Sequence, residues 1–322
     1  MTDTPEIWVL CDDRAGNVGQ SLGVAEALDL PFVRKDIAYT SFAKLPNFML
    51  GASLSAVTSE TKQAIKAPWP DLVISAGRRT APVARYIKQK SGRKTKLVQV
   101  MHPGTSGALD FDLICVPAHD NKKLQPNEMA MIGAPHRVGP EKLSEARTHW
   151  EETFKPLGDN LIALIVGGAT KDKEFNKEMA VALGQTVNKL AEEQGAGLLV
   201  TTSRRTGNIA DDLMKEIKVP AHTFKWGDAG ENPYFGYLAC ADHIIVTGDS
   251  VSMCSEACAT EKPVYIYAPD MMISAKHSRM VQSLCDGGYA EIFAGKLSSG
   301  KRLRLNSAVD IAKKIKIMLH LD

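Results

Sequence analysis

Long hydrophobic runs are missing from this sequence: no apolar stretch approaches the roughly 18 residues that a helix needs to cross a bilayer. A leader is not expected either, because Met1-Thr2-Asp3-Thr4-Pro5-Glu6 is acidic and has neither a cationic start nor an apolar core. Both absences predict a cytoplasmic protein whose membrane contact is at most peripheral. Cysteine is sparse and scattered: Cys11, Cys115, Cys240, Cys254, Cys258 and Cys285 include no CxxC and no histidine at ligand spacing. They read as reduced core residues. Cys254 and Cys258 stand one helical turn apart, yet two ligands without companions read as packing residues, so no metal is expected. Charge of one sign is also lacking. A net +2 is too little for binding by bulk electrostatics, and nucleic acid is not expected as a partner. The GxGxxG fingerprint is absent as well, which removes support for a nicotinamide cofactor. No resident cofactor is expected.

What is present is an ordinary globular composition, 44% hydrophobic and 24% charged, in 322 residues, enough for two domains of about 150 residues each. The pattern runs strand, polar loop, helix, repeatedly. Ile7 to Leu10 is apolar and leads into Cys11-Asp12-Asp13-Arg14-Ala15-Gly16-Asn17-Val18-Gly19-Gln20, then a helical pattern through Leu22, Ala25 and Leu28. Asp12, Asp13, Gly16, Asn17 and Gln20 therefore stand at the carboxyl end of a first strand, where open α/β sheets bind ligands. The alternative is a solvated loop with Asn17 capping the helix. Asp71 to Ala76 repeats the plan and stops at Gly77, where Arg78-Arg79-Thr80 opens a helix. Paired arginines oppose a helix dipole, which favours an anionic ligand or, alternatively, a structural ion pair. His102, after the strand Leu97 to Met101, brings a titratable ring to the same sheet edge. Phe42 to Leu54 is an irregular apolar segment, a lid or exposed flap. Lys88 to Lys96 is a basic turn, solvated or attractive to an anionic surface.

Lys155 to Asn160 has linker chemistry, which places the domains at 1–155 and 156–322. The opening plan then recurs: Leu161 to Val166 is a strand, Gly167 and Gly168 begin a turn, and a helix follows from about Asn176. Gly197 to Thr202 is the next strand and ends in Ser203-Arg204-Arg205-Thr206, an echo of Gly77-Arg78-Arg79-Thr80. The run Ile244 to Thr247 ends in Gly248-Asp249-Ser250-Val251-Ser252 before a helix carrying Glu256. Free backbone N–H groups and the Ser250 and Ser252 hydroxyls there suit a phosphate, and Glu256 suits the hydroxyls of a ribose. The plainer alternative is that the serines cap the helix and Glu256 is merely solvated. The apolar stripe of the terminal helix, 307–321, is expected to pack on the protein's own core, in place on the first domain, with Ser307 and Asp310 spaced as a capping box.

Two similar α/β domains with these loops resemble the two-domain nucleotide-sugar glycosyltransferase fold known as GT-B, in which two Rossmann-like domains face each other across a cleft. More narrowly, Trp8 to Gln20 with Gly23 and Ala25 to Leu28, then Ser75-Ala76-Gly77-Arg78-Arg79-Thr80 and Thr201 to Thr206, are similar to the mitochondrial-fission "elongated mitochondria" family. Its plant members work at the mitochondrial outer surface by recruiting a dynamin-related protein. The GT-B resemblance implies that Gly167, Gly168, Ser203, Arg204, Arg205, Ser250 and Ser252 hold a nucleotide diphosphate and Glu256 its ribose. Thr206 belongs to the same loop, and the first domain takes the acceptor. It further implies a metal-independent, inverting transfer with Asp12 as base and Asp13 and His102 in reserve. Two other functions fit the same residues: a non-catalytic adaptor whose expected partner surface is Phe42 to Leu54, and a sugar-nucleotide epimerase.

Overall fold

The computed structural model describes residues 4–298, 300 and 302–321; the first three residues of the acidic amino-terminal segment fall outside these. It divides into two compact units, Met1–Arg137 with Asn306–Asp322, and Val138–Leu305. In the first unit the order is β1 (Ile7–Cys11), α1 (Ala15–Ala27), β2 (Val33–Asp36), α2 (Asn47–Leu50), α3 (Ser59–Ala64), β3 (Leu72–Ala76), α4 (Ala81–Lys90), β4 (Lys96–Val100), β5 (Leu113–Pro117) and β6 (Glu128–Met131). The second contains α5 (Pro140–Phe154), β7 (Leu161–Val166), α6 (Lys177–Gln194), β8 (Gly197–Thr202), α7 (Ile209–Met214), β9 (Ala221–Phe224), α8 (Tyr234–Cys240), β10 (His243–Thr247), α9 (Val251–Ala257), β11 (Val264–Tyr267), α10 (Ala275–Asp286) and β12 (Glu291–Ile292). The chain then returns to the first unit as α11 (Ser307–Met318).

Each unit holds a six-stranded sheet, ordered β2-β1-β3-β4-β5-β6 and β12-β11-β10-β7-β8-β9, whose neighbouring strands are all parallel. A parallel sheet covered by helices on both faces needs unbroken apolar strands, and β1, β3 and β7 are buried at every position. The charged strand β2, Val-Arg-Lys-Asp, is tolerated because it stands at the sheet's edge. Both units are thus Rossmann-like α/β layers of the GT-B type. Parallel pairing also puts every strand's carboxyl end on one edge of its own sheet, which gathers the loops after β1, β3 and β4 in the first unit and after β7, β8 and β10 in the second.

The units part at Arg137 rather than at residue 155, and packing explains why. Trp150 and Phe154 of α5 stack with centroids 5.5 Å apart, and Phe154 also meets His222 and Tyr237 of the second unit. A side chain at Gly236 would strike the Trp150 ring, so α8 approaches α5 closely only because that position is glycine. The linker-like residues Lys155 to Leu157 form a single turn of 3-10 helix. In the other direction, Ile311, Ala312 and Ile315 of α11 share one core with Leu22, Val24 and Ala25 of α1. The α11 cap is Asn306, whose side-chain oxygen accepts from Val309 N at 3.2 Å, and not Ser307.

Candidate functional site

In the first unit, Asp12 follows β1 directly and its side chain is closed to solvent. Its carboxylate accepts from the Arg14 backbone N–H (2.9 Å), the Asn17 side-chain amide (2.9 Å) and the Arg79 guanidinium (3.3 Å). Asn17 is therefore not a helix cap; α1 starts two residues earlier, after Arg14. The Asn17 amide packs against Gly77, whose positive φ of 76° and missing Cβ leave room for it. Arg79 also pairs with Asp13 and lies over the Tyr39 ring, 4.7 Å from its centroid. Asp13, with a side chain 66% exposed, is the open carboxylate of the three acid–base candidates. Arg78 turns the other way: its guanidinium donates to the Leu45 and Ala43 carbonyls, while Asn47 donates to the carbonyls of Arg78 and Pro103. The segment around α2 is thus clamped, and it holds Phe42, Phe48 and Met49 out toward solvent. His102 accepts the Gly104 N–H at Nδ1 (3.0 Å) and faces Glu128 through Nε2 (3.2 Å), so both ring nitrogens are engaged. Gly16 is exposed and Gln20 half-buried on the same loop and helix. The basic turn is answered by acid: Lys88 and Lys96 meet Asp112, and Arg93 meets Asp110.

In the second unit, three loops interlock. Gly167 N–H donates to Thr247 Oγ1 (2.7 Å), and the Gly167 carbonyl accepts from the Ser203 and Thr206 hydroxyls. Arg205 donates through Nη1 to the Ala169 carbonyl (3.0 Å) and Gly168 carbonyl (3.3 Å), and its Nη2 stands 2.6 Å from Asp249 Oδ2. Asp249 is buried and packs so tightly on Gly167 that any Cβ there would overlap its carboxylate. Gly168 has φ +130°, and a Cβ on it would sit 2.5 Å from the Arg205 backbone. Arg205 is thereby a strut of the loop rather than a free cation. Arg204, next to it, is exposed and has no partner among the described residues.

Ser250 caps α9, accepting from Met253 N at 3.5 Å, as the plainer reading expects; Ser252 is half-buried in the first turn. Glu256 is not merely solvated. Tyr234 donates to its Oε2 at 2.6 Å, and burial pushes the carboxyl up to about 7, with the tyrosine bond opposing. Burial likewise drives the Tyr234 phenol well above its ordinary value. Cys254 and Cys258 are buried free thiols that burial pushes up, Cys254 well above and Cys258 likewise above the usual value. Residue-pattern reasoning overlooked Asp249, Tyr234 and His277. Asp249 stood inside a stretch already singled out, whereas His277, whose ring meets Ser274 Oγ at 2.9 Å and whose pKa burial lowers, carried no signal in the sequence.

Among families, the model described as mitochondrial fission ELM1 matches residues 15–319. Protein RP120 of Rickettsia prowazekii (strain Madrid E) is 32% identical, over 98% of this chain and 99% of its own. Mitochondrial fission protein ELM1 of Arabidopsis thaliana is 25% identical over 77% of this chain, and the match spans 62% of the plant protein's length. In fold, the chain is similar to the UDP-GlcNAc 2-epimerase of Methanocaldococcus jannaschii, solved in complex with UDP-GlcNAc and UDP. The TM-score is 0.53, with 11% identity and coverage of 98% of this chain and 99% of that one. No described helix is long and apolar enough to cross a membrane.

Proposed function

The chain belongs to the mitochondrial fission ELM1 family, and from that premise we propose that it binds a nucleoside-diphosphate sugar in its second unit and acts as a glycosyltransferase-like enzyme. One observation carries the reading: the Gly167–Gly168 turn, braced by Ser203, Arg205, Thr206 and Asp249, leaves Arg204 free and exposed beside it. A turn without side chains lets a phosphate oxygen reach the Gly168 N–H, since the Gly167, Ala169 and Thr170 amides already donate to Thr247 Oγ1 and to the Arg205 and Lys173 carbonyls, and the free guanidinium takes part of its charge. The epimerase solved with UDP-GlcNAc and UDP supports this choice of ligand.

In the transfer, the acceptor oxygen bonds to the anomeric carbon as the bond to the diphosphate breaks. The leaving diphosphate keeps the electron pair, and the acceptor proton passes to a general base. Of the two carboxylates after β1, Asp13 is the one open to solvent, paired with Arg79, whereas Asp12 accepts three hydrogen bonds and is shut off from solvent. Asp12 then organises Arg14, Asn17 and Arg79 around it. His102, engaged at both nitrogens, orders its own turn.

An adaptor without turnover is the second reading, favoured by the engagement of Asp12, Arg78, Arg79 and His102 within the protein and by the clamped, outward-held Phe42, Phe48 and Met49. Thermal-shift titration against nucleoside diphosphates and their sugars separates the two. Saturable stabilisation, about 2.7 kcal/mol at a hundredfold excess over Kd, should appear with the intact chain and fall to about half of that or less in Arg204→Ala and Glu256→Ala at the same ligand concentration. No stabilisation by any nucleotide would sink the nucleotide reading and leave the adaptor. Incubation with UDP-GlcNAc alone tests an epimerase: a new sugar without acceptor would replace transfer by isomerisation.

A further inference from the structure

Outside the loops that brace the Gly167–Gly168 turn, Tyr234 and Glu256 form a pair of their own. Tyr234 opens α8 and Glu256 lies in α9, so two elements that flank β10 in sequence are joined through one side-chain bond of 2.6 Å. The phenol takes Oε2; the Glu256 side chain has no other hydrogen-bond partner among the described residues. An ionised carboxylate has lone pairs on both oxygens and donates nothing, so a half-buried one held from one side presents its second oxygen as a fixed acceptor. A tyrosine is suited to do the holding. Its ring has few rotamers, and its hydroxyl needs only one acceptor to be satisfied.

We propose that Tyr234 is a positioning residue that aims the free oxygen of Glu256 at the ribose diol, making the site selective for ribonucleotides over nucleotides without 2′ and 3′ hydroxyls. The inference rests on the reading that the second unit binds a nucleoside diphosphate. A vicinal diol supplies the donor that the carboxylate lacks, whereas a nucleotide without it leaves a partly desolvated acceptor unmatched, and sites built this way discriminate strongly. The tyrosine bond also lowers the carboxyl against the upward push of burial, so it favours the ionised form, the stronger acceptor.

Calorimetric titration of the full chain with UDP, 2′,3′-dideoxy-UDP and inorganic pyrophosphate tests this. The intact chain should favour UDP over the dideoxy analogue by about 10- to 100-fold, the size of one hydrogen bond to a charged group. In Tyr234→Phe that ratio should fall toward unity, with pyrophosphate and dideoxy-UDP affinities unchanged, and the pH below which UDP loses its advantage should rise. Glu256→Asp, too short to meet the phenol, should lose the ratio in the same way and keeps the proposal testable if the phenylalanine variant fails to fold. A mere structural strut would weaken all three ligands together or none. UDP binding with the same ratio in both variants as in the intact chain overturns the inference and leaves the nucleotide reading standing. If neither UDP nor pyrophosphate binds the intact chain, the nucleotide reading falls and takes the inference with it.

Discussion

Gly77-Arg78-Arg79-Thr80 and Ser203-Arg204-Arg205-Thr206 are near copies, each following a buried parallel strand, yet they spend their arginines differently. Both threonines tie off a turn, but Thr80 Oγ1 donates to the Ala76 and Gly77 carbonyls of its own loop, whereas Thr206 Oγ1 crosses to those of Val166 and Gly167 at the end of the neighbouring strand. The second arginines also correspond, since Arg79 meets Asp12 and Asp13 while Arg205 meets Asp249. The first arginines diverge. Arg78 is consumed by the carbonyls of Ala43 and Leu45, and Arg204 is left to solvent. An identical dipeptide thus makes a clamp in one unit and an open cation in the other, and the decider is whether a neighbouring loop offers it unsatisfied carbonyls.

The comparison breaks most visibly at the glycines. Gly168→Ala drives a Cβ into the Arg205 backbone at φ +130° and should cost about 3 kcal/mol or more, or prevent folding. Gly77→Ala meets only the movable Asn17 side chain, besides the strain of its φ, and should cost about 1–2 kcal/mol in urea unfolding. Equal losses would mean that the two turns are not built differently. Next come the acids. Asp249→Ala strands the Arg205 guanidinium beside a buried gap and should destabilise by about 3 kcal/mol. Asp12→Ala should cost less, about 1–2 kcal/mol, because Asp13 still holds Arg79. The reverse order would refute the assignment of Asp249 as the strut's anchor.

Arg204→Ala should leave stability within about 0.5 kcal/mol and weaken UDP binding roughly tenfold, whereas Arg78→Ala should lower stability by about 1 kcal/mol and leave UDP binding alone. Nucleotide affinity that follows Arg78 instead would move the ligand to the first unit. A further comparison is with pH. Burial holds the folded Glu256 carboxyl at about 7, above its unfolded value near 4.3, so the folded chain binds that proton more tightly. The resulting stabilisation is complete below the unfolded value and is lost as pH rises through about 7. Relative to the intact chain, Glu256→Gln should therefore gain in Tm between about pH 5 and pH 8; a constant difference would mean that the carboxyl titrates normally.

Much of the architecture was legible in the chain. Buried parallel strands must be nearly all apolar, so β1, β3, β7, β8 and β10 announce themselves, and Gly or Ser after each except β1, which runs into Asp12-Asp13, marks the edge where ligands bind. Domain membership was less legible: Lys155 to Asn160 looks like a linker, yet α5 before it is bound to the second unit by Trp150, Phe154 and a glycine on a distant helix. The site was readable as a set of loops but not as a set of roles. Asp12 shows as a candidate base and folds into an organising acceptor; Glu256 shows as a ribose ligand, and only the fold reveals the tyrosine that holds it.

By itself, then, the sequence determined two α/β layers, the edges where chemistry gathers and the kinds of group available there, because strand burial and turn chemistry are local and periodic. The tertiary structure alone decided which arginine is spent, which carboxylate is open and which helix belongs to which unit. Those outcomes depend on hydrogen-bond partners and packing surfaces tens of residues away in the chain, Asp249 for Arg205 and Ala43 for Arg78, and such pairings leave no local pattern to read.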